Sequence, residues 1–194
     1  MIMLRVGMLY NKYCTFNYPY KDINDKLYNI IDSLPKKETK GGGQITSMNL
    51  HEHEIYDNVL DLRGEDVSFS LDAIDKILAY VIKCIPNTAI KLGEGNSDVS
   101  RAKVNYNLNE FKIAKCWGIT YDKGQNVVKH NHFPYCLSFV YFIKVPRGSS
   151  PLIIEGKRIK AEESKLVMFH ANQVHWCNKS NVDGRCCLVG NIRY

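Results

Sequence analysis

The sequence lacks the marks of several protein classes. No apolar run approaches the roughly 20 residues that a membrane-spanning helix needs, and the opening residues 1–5 lack the basic and apolar parts of a signal peptide. No Gly-Lys-Ser or Gly-Lys-Thr follows Gly41-Gly42-Gly43, so a phosphate-binding loop is not indicated. We find no internal repeat and no low-complexity tract. We therefore expect a cytoplasmic protein without membrane association.

The number and spacing of the cysteines also exclude two classes of protein. There are seven, an odd number, and none forms a Cys-x-x-Cys pair, so neither a disulfide framework nor a zinc ribbon is indicated. Cys186-Cys187 lies in an apolar, strand-like run, where small thiols usually pack in the core. We expect reduced, mostly buried cysteines.

Charge is distributed unevenly along the chain. The formal net charge is +6; residues 1–100 carry 11 Lys or Arg and 14 Asp or Glu (−3), and residues 101–194 carry 15 and 6 (+9). Such a basic half would favour an anionic ligand, either a dicarboxylate or a nucleic-acid backbone. A solvated lysine-rich surface is the plainer interpretation, because aromatic and basic residues do not interleave along the sequence.

The first hundred residues predict supporting helices. Apolar residues at positions 23, 27, 30, 31 and 34 fall on one helix face, which Pro35 ends. A second helix is predicted from a Ser70 N-cap to Pro86, with a broad apolar face. Gly41-Gly42-Gly43, at the end of the polar segment 36–43, is interpreted as a mobile connection, and His51-Glu52-His53-Glu54 as an exposed element end rather than a metal site.

From about residue 102 the residue pattern becomes that of a β protein. Polar turns separate short runs rich in β-branched and aromatic residues, which lie at 112–121, 127–132, 137–145, 152–154, 166–169 and 186–192. This pattern predicts an α+β protein with a closed or double-sheet jelly-roll core, and pattern alone does not separate that core from other β barrels. With 194 residues we expect one domain, residues 1–101 supporting and residues 102–194 forming the core.

Three histidines form the candidate metal site. On an extended strand His130 and His132 point to the same side, which brings two imidazoles close together. A third ligand must come from elsewhere; His175 is favoured, with His170 as the alternative.

An ordered set of motifs carries a family resemblance. It comprises Trp117, Lys123-Gly124, residues 130–134 (His-Asn-His-Phe-Pro), residues 138–143, residues 166–169, His175, Arg185 and Asn191. The chain resembles the 2-oxoglutarate and Fe(II)-dependent oxygenases, in particular the prolyl-hydroxylase-like branch and its small bacterial and phage relatives. The superfamily pattern is His-x-Asp, a distal His and an Arg, and His132 stands here at the Asp position. The resemblance implies a double-stranded β-helix, the cupin-like jelly roll, with supporting N-terminal helices. It also implies a bacterial or virus-infected host cell as the setting.

The resemblance also implies roles for individual residues. His130, His132 and His175 would hold Fe(II), which works with the cosubstrate 2-oxoglutarate and with O2. Arg185 would pair with the far carboxylate of 2-oxoglutarate, because a guanidinium binds a carboxylate bidentately. Tyr141 would donate a second hydrogen bond to that carboxylate. Asn191 and Ser138 also match positions that contact the cosubstrate.

Several alternatives remain open from the sequence. The substrate, whether protein, nucleic acid or small molecule, is not identified, and a homodimer is one assembly to test. Glu155 could complete the metal site if His132 does not. The predicted activity is hydroxylation or oxidative demethylation, with 2-oxoglutarate decarboxylated to succinate. A non-catalytic jelly-roll module of binding or viral assembly, or a cupin-type metalloenzyme with three histidines and no cosubstrate, are the other hypotheses.

Overall fold

A computed structural model describes residues 12–19, 22–47, 50, 68–93 and 110–194. The strands in these ranges are β1 (Cys14–Asn17), β2 (Lys36–Glu38), β3 (Gln44–Thr46), β4 (Lys112–Tyr121), β5 (Val127–His130), β6 (Leu137–Lys144), β7 (Leu152–Ile154), β8 (Lys157–Ile159), β9 (Lys165–His170), β10 (His175–Cys177) and β11 (Arg185–Arg193). The helices are α1 (Asn24–Ser33) and α2 (Ser68–Gly93).

The strands form two antiparallel sheets that face each other. The larger sheet has the order β1-β9-β6-β11-β4-β3-β2, and the smaller has the order β5-β10-β7-β8. One apolar cluster fills the space between the sheets, and a second lies between the larger sheet and the two helices. This is the double-stranded β-helix, or jelly roll, with helices supporting one sheet, as predicted. The N-terminal half also contributes β1, β2 and β3 to the larger sheet.

Strand β6 shows why the larger sheet lies in the middle of the molecule. Seven of its eight residues, Leu137 to Ile143, are buried, because one face meets the helices and the other meets the smaller sheet. Tyr141 and Ile143 point to the helix side, whereas Val140 and Phe142 point between the sheets. A strand covered on both faces is apolar throughout instead of alternating, which is the pattern this run has.

Helix α1 follows its predicted apolar face. Leu27 and Ile31 are completely buried, and the helix ends at Ser33, before Pro35. Its close approach to the larger sheet needs a glycine at position 118, where an added Cβ would lie 2.4 Å from the Ile31 side chain. The sequence therefore places α1 directly against β4.

Helix α2 departs from the prediction at both ends. It begins at Ser68 instead of after Ser70, and it continues through Pro86 to Gly93. Proline removes one helical hydrogen bond, but Ile85, Thr88 and Leu92 continue the buried face beyond it. Packing against β1 and β9 therefore outweighs the lost bond. Within the described ranges, no helix is long and apolar enough to cross a membrane.

The segment at residues 36–43 begins with a strand that the sequence did not predict. It forms β2 and the turn of a hairpin with β3, in which Lys36 pairs with Thr46 and Glu38 with Gln44. Gly41-Gly42-Gly43 is the connection between these two strands. Gly42 adopts φ +83° in the turn, a conformation that glycine adopts without strain. The His51-Glu52-His53-Glu54 segment lies outside the described residues.

Candidate metal centre

The fold brings His130, His132 and His175 together. His130 is the last residue of β5 and His175 the first of β10, and the two pair directly across these neighbouring antiparallel strands. His132 lies in the loop after β5, where its backbone N–H donates to the carbonyl of Ala171 at 2.7 Å. The predicted strand over residues 127–132 thus ends at His130, and a loop hydrogen bond holds His132 in place.

The three imidazoles form a compact triangle. Ring centroids lie 4.8 Å apart for His130 and His132, 4.3 Å for His130 and His175, and 5.0 Å for His132 and His175. One ring nitrogen from each lies within 4.8 Å of the other two. Trp117 packs edge-on against His132 at 5.8 Å, and Phe169 packs against His175 at 4.7 Å, so aromatic walls limit the movement of both rings.

Backbone carbonyls select the ring nitrogen that is free to bind an ion. The Nδ1 of His130 lies 2.8 Å from the carbonyl of Val128, and the Nδ1 of His175 lies 3.1 Å from the carbonyl of Gln173. A carbonyl only accepts, so Nδ1 carries the proton in both rings and Nε2 keeps its lone pair. Such outer contacts fix the orientation of metal-binding histidines.

Burial keeps two of the rings neutral. Burial, followed by repulsion from His130, lowers the pKa of His132 from about 6.5 to about 4. Burial, followed by the other two rings, lowers the pKa of His175 to about 3, although the Gln173 carbonyl opposes this shift. Neutral imidazole is the form that binds a metal ion. The site therefore presents lone pairs rather than protons at neutral pH.

The donor set fits a first-row divalent metal after the rings move closer together. Imidazole nitrogens lie about 2.1 Å from such an ion, so adjacent ligands of one ion are about 3.0–3.4 Å apart. Nitrogens within 4.8 Å of one another therefore need to close by up to about 1.5 Å. Three adjacent ligands on one side leave the opposite side of the ion open to other molecules.

The two alternative ligands lie elsewhere. Glu155 sits in the turn between β7 and β8, where its Oε1 accepts the backbone N–H of Val174 at 2.7 Å. His170 is exposed at the end of β9, and burial lowers its pKa as well. Across the described ranges, the group able to hold a metal contains neither residue, nor any other carboxylate. The site is therefore built from histidines.

Arg185 supplies a buried positive charge to the same cavity. It begins β11 and is 2% exposed, with its guanidinium 5.1 Å from the ring centre of Tyr121 and 5.4 Å from that of Phe142. Its Nη1 donates to the sulfur of Cys177, and its Nε is buried without a hydrogen-bond partner. No carboxylate pairs with it among the residues described. A buried charge without a counter-ion is costly, so this arginine indicates an anionic ligand.

One cavity joins the histidines to Arg185. Residues from both sheets line it: Trp117, Ile119, Tyr121, Val127, His130, His132, Ser138, Phe139, Val140, Leu152, Phe169, His175, Trp176, Cys177, Arg185, Cys187, Val189 and Gly190. The walls are mostly apolar, with imidazoles at one end and the guanidinium at the other. The arrangement suits a small molecule with a metal-binding end and an anionic end.

Tyr141 does not reach this cavity. It points to the helix side of β6, where its hydroxyl donates to Oδ1 of Asn24 at 2.8 Å, and burial raises its pKa to about 12. Strand alternation gives the reason, since the inner face of β6 belongs to Val140 and Phe142. The predicted contact of Tyr141 with a cosubstrate is therefore corrected.

Ser138 lines the cavity, as predicted, and Asn191 lies directly behind it. The Ser138 hydroxyl donates to Oδ1 of Asn191 at 2.9 Å, and the two residues pair across β6 and β11. Asn191 thus orients Ser138, while any cosubstrate contact for either residue stays a prediction.

Sequence analysis missed Tyr121, Cys177 and Cys187. All three surround Arg185 inside the cavity. Burial, followed by the neighbouring Cys187, raises the pKa of Tyr121 well above its ordinary value, and burial raises the pKa of Cys187 to about 11. Tyr121 therefore keeps a proton to donate. Tyr121 could have been noticed from its place at the end of β4, two residues beyond Ile119 on the inner face. The inner face could not be identified from the sequence, because it depends on the pairing of Tyr121 with Arg185.

Comparison with solved structures reveals clear likenesses in fold. A prolyl-4-hydroxylase of Pseudomonas putida matches with a TM-score of 0.56 and 12% identity, over 94% of this chain and 93% of that one. The fold is that of the prolyl-4-hydroxylase-like oxygenases. The viral collagen prolyl hydroxylase of Paramecium bursaria Chlorella virus-1, solved as a 2OG complex, gives 0.57 and 14%, over 94% and 96%.

A 2OG-Fe(II) oxygenase family oxidoreductase of Burkholderia pseudomallei gives a TM-score of 0.52 and 11% identity, over 94% of this chain and 84% of that one. No protein-family model matches the chain, and no curated protein matches its sequence. The shared architecture extends over nearly the whole chain, beyond the core that carried the sequence resemblance.

Proposed function

We propose that the protein is an Fe(II)- and 2-oxoglutarate-dependent dioxygenase that hydroxylates or oxidatively demethylates its substrate. One observation carries the proposal: Arg185, buried and without a carboxylate partner in the described structure, shares a cavity with three converging imidazoles. A metal site needs the imidazoles, and a dianionic cosubstrate needs the arginine. The fold likeness to oxygenases supports the same assignment.

In this proposal the histidines hold the metal and set its charge. His130 and His175 offer Nε2 with Nδ1 anchored to backbone carbonyls, and His132 joins them from the loop. Three neutral ligands leave the full +2 charge of the ion, which favours binding of an anionic cosubstrate more strongly than a site with one carboxylate ligand would. Bound iron would allow O2 to act as the oxidant: 2-oxoglutarate would supply two electrons and leave as succinate and carbon dioxide, and the substrate would supply the other two as it is hydroxylated.

The far end of the cavity would orient the cosubstrate. The Arg185 guanidinium has a free Nε, and Tyr121, whose ring lies beside it, keeps a proton on its hydroxyl. Both can donate to one carboxylate, and hydrogen bonds to a charged group contribute about 1.5–3 kcal/mol. Apolar walls such as Leu152 and Phe169 exclude water and strengthen these contacts.

Succinate formation tests the proposal. Wild-type protein, His175→Ala and Arg185→Ala are each incubated with Fe(II), 2-oxoglutarate and O2, and metal content is measured in parallel. We expect slow succinate release by wild type even without substrate, loss of iron and succinate in His175→Ala, and loss of succinate with iron retained in Arg185→Ala. Wild-type protein that binds iron but neither binds nor consumes 2-oxoglutarate contradicts the proposal.

The donor set favours a second candidate, a three-histidine metalloenzyme that needs no cosubstrate. Its supporting observation is that the metal-binding group within the described residues holds no carboxylate. Iron binding without any affinity for 2-oxoglutarate would establish this candidate. Absence of metal binding altogether would instead leave a non-catalytic jelly-roll module.

A further inference from the structure

The larger sheet continues past the histidines and carries three cations on its cavity side. We name Lys112, Lys115 and Arg193 the basic shelf. Lys115 pairs with Asn191 across β4 and β11, and Arg193 pairs with Lys112 at the end of the same two strands. All three side chains are exposed, and none forms an ion pair with a carboxylate in the part of the chain that the structure describes.

Strand register places the basic shelf on the face that lines the cavity. Lys115, Asn191, Ser138 and Phe169 form one row across four strands, in which Ser138 and Phe169 are cavity walls. Residues paired in antiparallel strands point to the same face, and residues two apart on one strand do as well. Arg193 follows Asn191 by two residues and therefore shares its face, and Lys112 pairs with Arg193. Because the ladder shifts register beside Asn191, with Ala114 as the extra residue of β4, Lys112 and Lys115 share this face although they are three residues apart. The shelf is thus an outward extension of the cavity floor.

Two aromatic side chains accompany the metal-binding histidines: Trp117 on the strand that carries Lys115, and Phe133 in the loop after β5. Trp117 is half-buried, two residues from Lys115 on the same face of β4, and packs against the ring of His132. Phe133 follows His132 in the chain and is 77% exposed. Its loop is tied to the end of β11, because the N–H of Cys136 donates to the carbonyl of Ile192 at 2.9 Å.

The exposed ring of Phe133 is available to a partner beside the metal-binding loop. Glu110 precedes β4, two residues before Lys112, whereas β4 and β11 themselves contain no acidic residue. The shelf strands are therefore cationic, and aromatic rings accompany the histidines. Sequence analysis gave little weight to nucleic acid because such residues do not interleave along the chain, whereas the fold assembles them from β4, β11 and the loop after β5.

We propose that the basic shelf and Phe133 bind single-stranded nucleic acid, with phosphates on the shelf and a base against the rings at the mouth of the histidine site. The proposal names the substrate class of the oxygenase, and to that extent it rests on the proposed function. Phosphate contacts bind any sequence, and base stacking on aromatic rings holds a strand without pairing.

An acidic peptide is the other anionic polymer that three cations could bind. Carboxylates would satisfy the cations, but they give no partner to Phe133, whose ring is flat, exposed and adjacent to His132. Every nucleobase offers a face to such a ring. The nucleic acid accounts for both the charges and the aromatic side chains.

Oligonucleotide binding without metal or 2-oxoglutarate tests this substrate class separately from the oxygenase chemistry. A fluorescein-labelled 12-mer of deoxythymidine is titrated by anisotropy, in the presence of a chelator, at several salt concentrations. Three phosphate contacts to a single strand give a slope of log K against log salt near −2, so affinity should fall about twentyfold between 50 and 200 mM salt. Failure of the oxygenase proposal leaves this measurement unaffected.

Matched variants locate the binding surface. The shelf variant Lys112→Gln, Lys115→Gln, Arg193→Gln should lose most of the salt dependence. The control removes the same charge from exposed cations elsewhere, as Lys37→Gln, Lys123→Gln, Arg147→Gln, and should bind as wild type. Phe133→Leu keeps an apolar side chain but removes the ring, and affinity should fall about five- to hundredfold.

Three results overturn the inference. The first is no binding of the 12-mer at 50 mM salt with 100 µM protein, and the second is equal binding by the shelf and control variants. The third is that a labelled dodecaglutamate binds as tightly as the 12-mer and that Phe133→Leu binds the 12-mer as tightly as wild type. That result assigns the shelf to an acidic peptide. If the shelf variant fails to fold, the wild-type salt slope and exposed Phe133→Leu still decide.

Discussion

Replacing Arg185 with methionine distinguishes two effects of the buried charge: its cost to folding stability and its contribution to ligand binding. The guanidinium is 2% exposed, its Nε lacks a partner, and its other contacts are the Cys177 sulfur and two aromatic rings. Methionine fills a similar volume without charge. The variant should therefore be more stable than wild type when no ligand is bound, yet should bind 2-oxoglutarate poorly.

The magnitudes follow from these contacts. An unsatisfied buried donor costs about 1–3 kcal/mol, more when charged, and each ring contact returns about 0.5–1 kcal/mol. With two such ring contacts, the net gain for Arg185→Met is at most about 2 kcal/mol, which raises Tm by up to about 8 °C in a chain of this size. Losing a charge-assisted contact of about 1.5–3 kcal/mol should weaken 2-oxoglutarate binding at least tenfold.

Thermal unfolding under anaerobic conditions with Fe(II) measures both effects. At 100 times its Kd, 2-oxoglutarate stabilises wild type by about 2.7 kcal/mol, whereas a variant with a hundredfold higher Kd gains about 0.4 kcal/mol. Arg158→Met, which changes an exposed cation on β8, is the control and should change neither quantity. A lower Tm for Arg185→Met together with an undiminished ligand shift would refute the reasoning.

Three further predictions concern the histidines and Glu155. His132→Ala should lose iron and His132→Asp should retain part of it, since a carboxylate can also bind the ion; full iron binding by His132→Ala, measured by metal analysis, would remove His132 from the site. Glu155→Ala should keep iron but lose about 0.5–1.5 kcal/mol of stability with its hydrogen bond to Val174, which urea unfolding measures; loss of iron would restore Glu155 as a ligand. The pKa values of about 4 for His132 and about 3 for His175 lie below the unfolded value near 6.5, so the metal-free protein should keep full stability above pH 6.5 and lose it progressively as pH falls toward these values. The double variant His132→Gln, His175→Gln should have a shallower slope of unfolding free energy between pH 6.5 and 4.5, and an identical slope would contradict the assigned burial.

Strands with long apolar runs could be predicted to within a residue or two. β4 at Lys112–Tyr121 and β7 at Leu152–Ile154 match their predicted ranges, and β6 and β11 differ only at their ends. The three-residue strands β8 and β10 were missed, because so short a segment shows no periodicity and is defined by its neighbours. The prediction that α2 ends at Pro86 failed for a similar reason. Tertiary packing, and not the local preference of proline, sets the end of this helix.

The candidate site also contains residues that could be predicted from the sequence and residues that could not. The histidines could be found because their identities and spacing carry the chemistry, and Arg185 because it follows at the expected distance. Tyr121 lines the cavity and Tyr141 lies on the helix side of the sheet. The sequence did not reveal this, because a one-residue change of register moves a side chain to the opposite face. Register is a property of strand pairs, such as Tyr121 with Arg185, and a single strand does not reveal it.

Strand β5 forms the outer edge of the smaller sheet and pairs only with β10 there, in an irregular ladder between His130–His175 and Val127–Cys177. An ion bound by His130 and His175 would link this edge strand to its neighbour β10, and His132 would link the following loop to the same ion. Releasing the ion would then loosen the strand, so amide hydrogens of β5 should exchange faster in chelator while those of β6 and β11 stay protected. A loosened strand edge is open to pairing with another chain, so metal supply would govern how readily this protein self-associates.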